Sequence, residues 1–349
     1  MASAITMADP APIATQIKTG HPNGHDYNQI VNDPRRNVLY LTDSDGRCVL
    51  ALGRDGAVSV VVAADAGFGI KWLAFDRWRG LLYCVSDEEV VHRLDGGWQP
   101  VAGSSRGYRD GPGATAQLGD IMNICVRRDG TLVVADARNN CVRTISPAGD
   151  VGTLASGYES WTGRTVPFSS PMSVCVDSRD NVLVRESLCV HMVAPCGQVT
   201  TLAGWPGLDG SCDGPGMDAR FLDNGGLAAD EHDTLYLVDG GSIRRIVLSG
   251  GGLLGALAAV PCLSGWPRDL LPLIVAFLPT TATVDTFLRC GNGGFGSAES
   301  SALIGIAVEQ SLIVGSARPA SAALVVCDAG AKAVYRIALP TPVPTATAS

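Results

Sequence analysis

The sequence predicts an all-β chain in which short antiparallel sheets repeat around a common axis, and three observations carry that prediction. First, Asp110-Gly111-Pro112-Gly113 followed by Ala116-Gln117-Leu118 recurs as Asp213-Gly214-Pro215-Gly216 followed by Ala219-Arg220-Phe221, with the same internal spacing. Second, a pair of apolar runs joined by a polar turn returns about every fifty residues, a period that marks repeat architectures. Ile124-Cys125-Val126 with its partner run at 131–136 is one copy, and Val174-Cys175-Val176 with 181–186 is another. Third, 42 glycines and 20 prolines stand against only 6 tryptophans, 7 tyrosines and 7 phenylalanines. That is the composition of many tight turns between short segments.

Taking the elements in order, the ends of the first and second strands align as Asp33/Asp43, Asp76/Ser86, Arg127/Asp136, Asp177/Glu186 and Asp230/Asp239. A sixth copy, Glu309/Asp328, carries a longer turn between its strands. Third strands follow at 48–52, 90–94, 141–145, 190–193, 242–248 and 333–339, and fourth strands at 58–62, 98–102, 151–155, 199–203 and 284–288. Short four-stranded blades with glycine-rich connections suit a β-propeller, in which radial repetition leaves only short, protected sheet edges. The expected fold is therefore a six-bladed β-propeller of four-stranded antiparallel blades spanning residues 13–339, after a flexible N-terminus at 1–12. The last copy lacks a fourth strand, because the chain then enters a Pro/Thr-rich tail at 340–349 that is expected to be disordered. Residues 15–20 resemble the fourth strand at 200–204, so the N-terminal strand is expected to close the ring. Blade five is interrupted by an insertion at 250–283, where residues 267–279 read as a short helix capped by Asp269 and stopped by Pro279.

The segment Val133-Val134-Ala135-Asp136-Ala137-Arg138-Asn139-Asn140-Cys141-Val142-Arg143-Thr144-Ile145, the run Val199-Thr200-Thr201-Leu202-Ala203-Gly204 and the Asp-Gly-Pro-Gly linkers resemble NHL repeats. The resemblance covers roughly the whole repeat region and implies a propeller scaffold used mainly for binding proteins, and in some relatives RNA or small molecules. A scaffold does not fix a function.

Net charge is −8 and only 17% of residues are charged, so a broad basic surface for nucleic acid is not expected. No apolar run approaches the roughly 20 residues that span a bilayer. The first twenty residues lack a basic n-region and an apolar core, so the expected location is cytoplasmic and the expected state a monomer. Eleven cysteines, none spaced Cys-x-x-Cys, read as reduced core residues. No cofactor and no metal site is expected. His21, His25, His92, His191 and His232 are scattered, and neither a Gly-x-Ser-x-Gly elbow on a helix nor a phosphate-binding Gly-Lys loop is present.

Two sets of candidate residues remain. Gln29, Trp72, Asn123 and Ser173 fall at the mouth of the predicted channel, where the absence of carboxylates and histidines argues against lactonase-type metal chemistry. Arg106, Tyr108, Arg109, Tyr158, Trp161, Arg164 and Trp205 lie on long inter-blade connections that share one face, and these residue types concentrate at binding hot spots. The function read from the sequence is a non-catalytic protein-interaction module. Its alternatives are a propeller enzyme, either a lyase or a lactone hydrolase with a central-channel site, and a substrate-recognition component of a ubiquitin ligase. The last rests on a likeness between the 267–279 segment and the opening helix of an F-box.

Overall fold

The structure is a computed structural model that describes residues 14–17, 27–43, 47–53, 57–63, 68–159, 165–166, 168–222, 225–230, 232–239, 242–248, 282–289, 303–310, 322–328 and 333–338. Four consecutive stretches of chain each make an antiparallel four-stranded sheet. Sheet A is Tyr27–Asp33, Val38–Asp43, Cys48–Gly53 and Val58–Ala63; sheet B is Ile70–Asp76, Leu81–Ser86, Val91–Leu94 and Trp98–Ala102. Sheet C is Ile121–Val126, Leu132–Asp136, Cys141–Ile145 and Val151–Ala155; sheet D is Ser173–Val176, Val182–Glu186, Cys189–Val193 and Val199–Gly204.

Sheet E orders Leu227–Ala229, Leu235–Asp239, Ser242–Leu248 and Ala282–Arg289, and adds Gly214–Pro215 as a fifth, outermost strand. Sheet F joins the two ends of the chain. Leu303–Gln310, Ala322–Asp328 and Ala333–Ala338 are followed in space by Ala14–Ile17, which pairs antiparallel from Ala14 opposite Ile337 to Ile17 opposite Val334. The N-terminal strand expected to complete the last sheet does so.

The result is a β-propeller arrangement with five four-stranded antiparallel blades, A to D and F, beside the five-stranded sheet E. First strands neighbour one another in a closed circuit from A through F and back to A. A 3-10 turn at Gly216–Asp218 is the one helical element among the described residues. The predicted helix near 267–279, the rest of the 250–281 insertion, the 1–12 segment and the 340–349 tail lie outside the described residues.

Packing between sheets follows from the alternation of apolar positions. Tyr40 and Val49 of sheet A pack with Leu73 and Cys84 of sheet B, and Val85 and Val91 of B with Ile124 and Val134 of C. Val142 of C packs with Val174 and Val184 of D, and Val190 of D with Leu237 of E. The linker motif supplies the rest of each seam. Leu118 and Phe221 are completely buried, as is Phe168 in the corresponding place before sheet D. Burying side chains of this size stabilises by roughly 1.5–3 kcal/mol each.

The Ala-Gly that ends a fourth strand has its own geometric reason. Gly103 and Gly204 adopt φ of 101° and 88°, where the chain turns out of sheets B and D across the preceding second-to-third-strand turn. A Cβ on Gly103 would stand 2.6 Å from the Glu89 carbonyl, so any larger residue would push the crossing apart.

Candidate functional site: an axial cavity and a face of connections

The first strands of sheets A to E line a cavity of about 630 Å³, with Gln29, Leu73, Asn123, Cys125, Cys175 and Ala228 among its wall residues. It extends to the turns that follow the first strands. There Arg35, Arg77 and Arg128 come from sheets A to C, and Asp177, Asp180 and Asp230 from D and E. The acids at the strand ends hold these turns closed. One oxygen of Asp33 accepts the Arg35 and Arg36 amides, Asp76 those of Trp78 and Arg79, Asp177 those of Arg179 and Asn181, and Asp230 those of His232 and Thr234. Burial pushes the Cys125 thiol up to about 12 and that of Cys175 well above its ordinary value, so both are neutral packing groups.

Gln29 and Asn123 line this cavity, but all four predicted channel-mouth residues are engaged with the neighbouring blade. Gln29 Nε2 donates to the Leu73 carbonyl at 3.3 Å while its Oε1 accepts the Leu73 amide. Trp72 Nε1 donates to the Ile121 carbonyl at 2.8 Å. Asn123 Oδ1 accepts the Val174 amide at 3.3 Å, and Ser173 Oγ accepts the Leu227 amide at 3.0 Å. Each side chain reaches the backbone of the next first strand, forming a belt from A to E. These groups hold blades together, which explains why polar residues recur at a crowded axis.

On the opposite face, the inter-blade connections run beside the second-to-third-strand turns. Arg106 donates to Glu89 and to the Asp87 carbonyl. Burial raises the Glu89 carboxyl above the ordinary glutamate value, opposed by Lys71 and the Ile121 amide. Tyr108 is 56% exposed, yet its ring lies under the Arg143 guanidinium at 4.8 Å. Arg109 is exposed, and its backbone pairs with Gln117. Tyr158 begins a two-residue hairpin strand, Tyr158–Glu159, and Trp205 is half-buried. Trp161 and Arg164 lie outside the described residues. The same connections expose Leu208, Met217 and Leu222.

Sequence reasoning missed what the Asp-Gly-Pro-Gly aspartates do. The repeat marks them only as the start of a recurring linker, but they also reach the buried arginine of the following blade. Arg143 pairs with Asp136 at 3.1 Å and with Asp110, and Arg244 pairs with Asp239 at 2.9 Å and Asp213 at 2.8 Å. Asp136 also accepts the Gly119 amide and Asp239 the Leu222 amide, so each acid ties the incoming connection to its blade. The signal was present: Asp110 and Arg143 are separated as Asp213 and Arg244 nearly are, but only as one element of the long repeat.

Sheet D departs from this arrangement, with Glu186, Cys189 and His191 buried together. Glu186 Oε1 stands 3.0 Å from His191 Nε2, while its other oxygen accepts the Ser169 amide. Burial, with the Glu186 charge beside it, raises the Cys189 thiol to about 12. The expectation that no metal-ligand set exists did not anticipate this cluster.

No family model matches the chain, and no curated protein does. Solved structures do. A protein of unknown function from Bacteroides thetaiotaomicron superposes with TM-score 0.60 at 15% identity, over 94% of this chain and 76% of that one. A gluconolactonase from Xanthomonas campestris gives 0.56 at 13% identity, over 94% and 90%. Virginiamycin B lyase from Staphylococcus aureus gives 0.55 at 11% identity, over 94% and 100%. At these identities the likeness establishes the propeller fold and nothing about chemistry.

Proposed function

We propose that the protein is a six-bladed NHL-type propeller, with the five-stranded sheet E counted as a blade, acting as a non-catalytic interaction module. Its partner, a protein, docks on the face made by the inter-blade connections. The observation that supports this most directly is the placement of exposed apolar groups. Leu208 at 50% exposure and Leu222 at 48%, together with Met217 and Tyr108, all lie on those connections. Large apolar side chains held in water on one face favour association. The polar groups at the axis are meanwhile engaged between blades. The test is affinity capture from native cell extract with the intact chain, a Leu208→Ser/Met217→Ser/Leu222→Ser variant, and a Trp161→Ala/Arg164→Ala variant. Loss of the main captured protein in either variant, with an unchanged melting temperature, supports the reading; identical capture by all three refutes it.

A second reading has one specific observation behind it, the axial cavity. Its size falls within the range of about 300–1,000 Å³ that small-molecule sites occupy. Under this reading the chain is a propeller enzyme, a lactone hydrolase or a lyase as the gluconolactonase and virginiamycin B lyase neighbours are named. Turnover of a lactone or of a streptogramin B substrate, lost on Asn123→Leu, would promote it over the first.

A further inference from the structure

Sheet D differs from its neighbours in three linked ways. In sheets C and E the carboxylate ending the second strand is aspartate, its partner on the third strand is arginine, and a linker aspartate neutralises the far side of that arginine. In sheet D the carboxylate is Glu186, the third-strand residue is His191, and the preceding connection, residues 156–172, contains no aspartate. The neighbouring Arg185 does not fill the gap, because its guanidinium reaches Asp239 in sheet E at 3.1 Å.

In place of the guanidinium stands a set of three different donor atoms. A carboxylate oxygen of Glu186, Sγ of Cys189 and a ring nitrogen of His191 all lie within 4.8 Å of one another, on residues that are 4%, 1% and 0% exposed. The imidazole is oriented. Thr201 Oγ1 on the adjacent fourth strand sits 3.0 Å from Nδ1, which leaves Nε2 facing Glu186. The other oxygen of Glu186 is fixed by the Ser169 amide at 2.6 Å, and the Phe168 ring and the imidazole meet in a T-shaped contact with centroids 5.6 Å apart. A hydrogen bond on the remote ring nitrogen and another on the carboxylate are the outer contacts that orient metal ligands.

We propose that Glu186, Cys189 and His191 form a site for a zinc-class divalent cation, which cross-links the second and third strands of sheet D where arginine does so in sheets C and E. Ligand bonds of about 2.0–2.3 Å to zinc place tetrahedral donors roughly 3.3–3.7 Å apart, so the Glu186–His191 pair at 3.0 Å opens slightly and any pair nearer the 4.8 Å limit closes. A thiolate with imidazole and one carboxylate selects zinc and its neighbours in the transition series. It is a poor set for calcium or magnesium, which take oxygen ligands.

The test uses the full chain carrying Cys196→Ser and Cys212→Ser to remove the thiols that are exposed among the described residues, stripped with chelator and titrated with cobalt(II). A stoichiometric thiolate-to-cobalt absorption, displaced by zinc but not by calcium, is expected. Cys189→Ser should abolish the absorption, and Thr201→Val, a positioning change, should weaken cobalt and zinc affinity by about tenfold to a hundredfold. His191→Gln offers a second ligand deletion should the cysteine variant fail to fold. Absence of the absorption in the parent chain overturns the proposal, as does its persistence in a folded Cys189→Ser or His191→Gln variant.

Discussion

Replacing Arg143 by methionine isolates the energetics of the buried pair in sheet C. Both Arg143 and Asp136 have fully buried side chains, and the guanidinium donates to Asp136 at 3.1 Å and to the Gln117 carbonyl at 3.3 Å. Methionine keeps the apolar volume and removes the charge. Asp136 would retain the Gly119 amide and the Asn139 donors but would face no cation. Removing one member of a buried pair costs about 3–5 kcal/mol, because the survivor stays desolvated and uncompensated. The outer partner should behave differently. Asp110 is about half exposed, so Asp110→Asn is expected to cost about 1 kcal/mol or less. Arg143→Met/Asp136→Asn should recover a large part of the single-mutant loss, since no unpaired charge remains. Urea unfolding of the four proteins, followed by tryptophan fluorescence and circular dichroism, gives the comparison. The reasoning fails if Arg143→Met costs less than about 1 kcal/mol, or if Asp110→Asn costs as much as Arg143→Met.

Deleting residues 1–17 removes the strand paired with Ala333–Ala338; the variant should melt lower or self-associate in ultracentrifugation, and an equally stable monomer would refute the closure. Burial lowers the His92 pKa below its ordinary 6.5, beside a Phe68 ring stacked at 4.7 Å. A depressed folded-state value contributes stability that is present above pH 6.5 and lost as pH falls through the folded value, so His92→Gln should lose less stability than the parent on acidification; parallel urea midpoints across that window would contradict this. Among the described cysteines, native-state alkylation mapped by mass spectrometry should modify Cys196 and Cys212, which are exposed. The buried Cys84, Cys141 and Cys189 and the half-buried Cys125 and Cys175 of the cavity wall, whose thiols burial pushes well up, should react far more slowly until urea is added.

The repeat was legible because its cause is local. Alternating apolar residues, a turn acid such as Asp177 and a helix-incompatible Asp-Gly-Pro-Gly each act within a few residues, so the strand pattern and the recurrence of Leu118 and Phe221 could be read directly. The closing strand was legible because residues 15–20 carry the pattern of a fourth strand with no sheet of their own. The roles of polar side chains were not legible in the same way. Gln29 and Leu73 are 44 residues apart and Asn123 and Val174 are 51 apart, so the column that read as a channel mouth is also a set of clasps, visible only once the blades stand side by side. Likewise, Glu186 and His191 each looked unremarkable until the Asp–Arg pairs of sheets C and E showed what they replace.

Because sheet F combines residues 14–17 with residues 303–338, it is completed only after the strands of the other sheets have been made. Sheets A to D draw their strands from contiguous sequence and can pair as each emerges from the ribosome. Of the described strands Ala14–Ile17 is made before the others and must wait for Ala333–Ala338, which is made after them. Until that pairing forms, the nascent ring is an open arc with Ala14–Ile17 unpaired, the kind of exposed edge that recruits other chains. Slow elongation would lengthen that interval for every blade already formed. This pairing therefore acts as a timer: until Ala333–Ala338 is available, only the shortness of the open edges guards the arc against association.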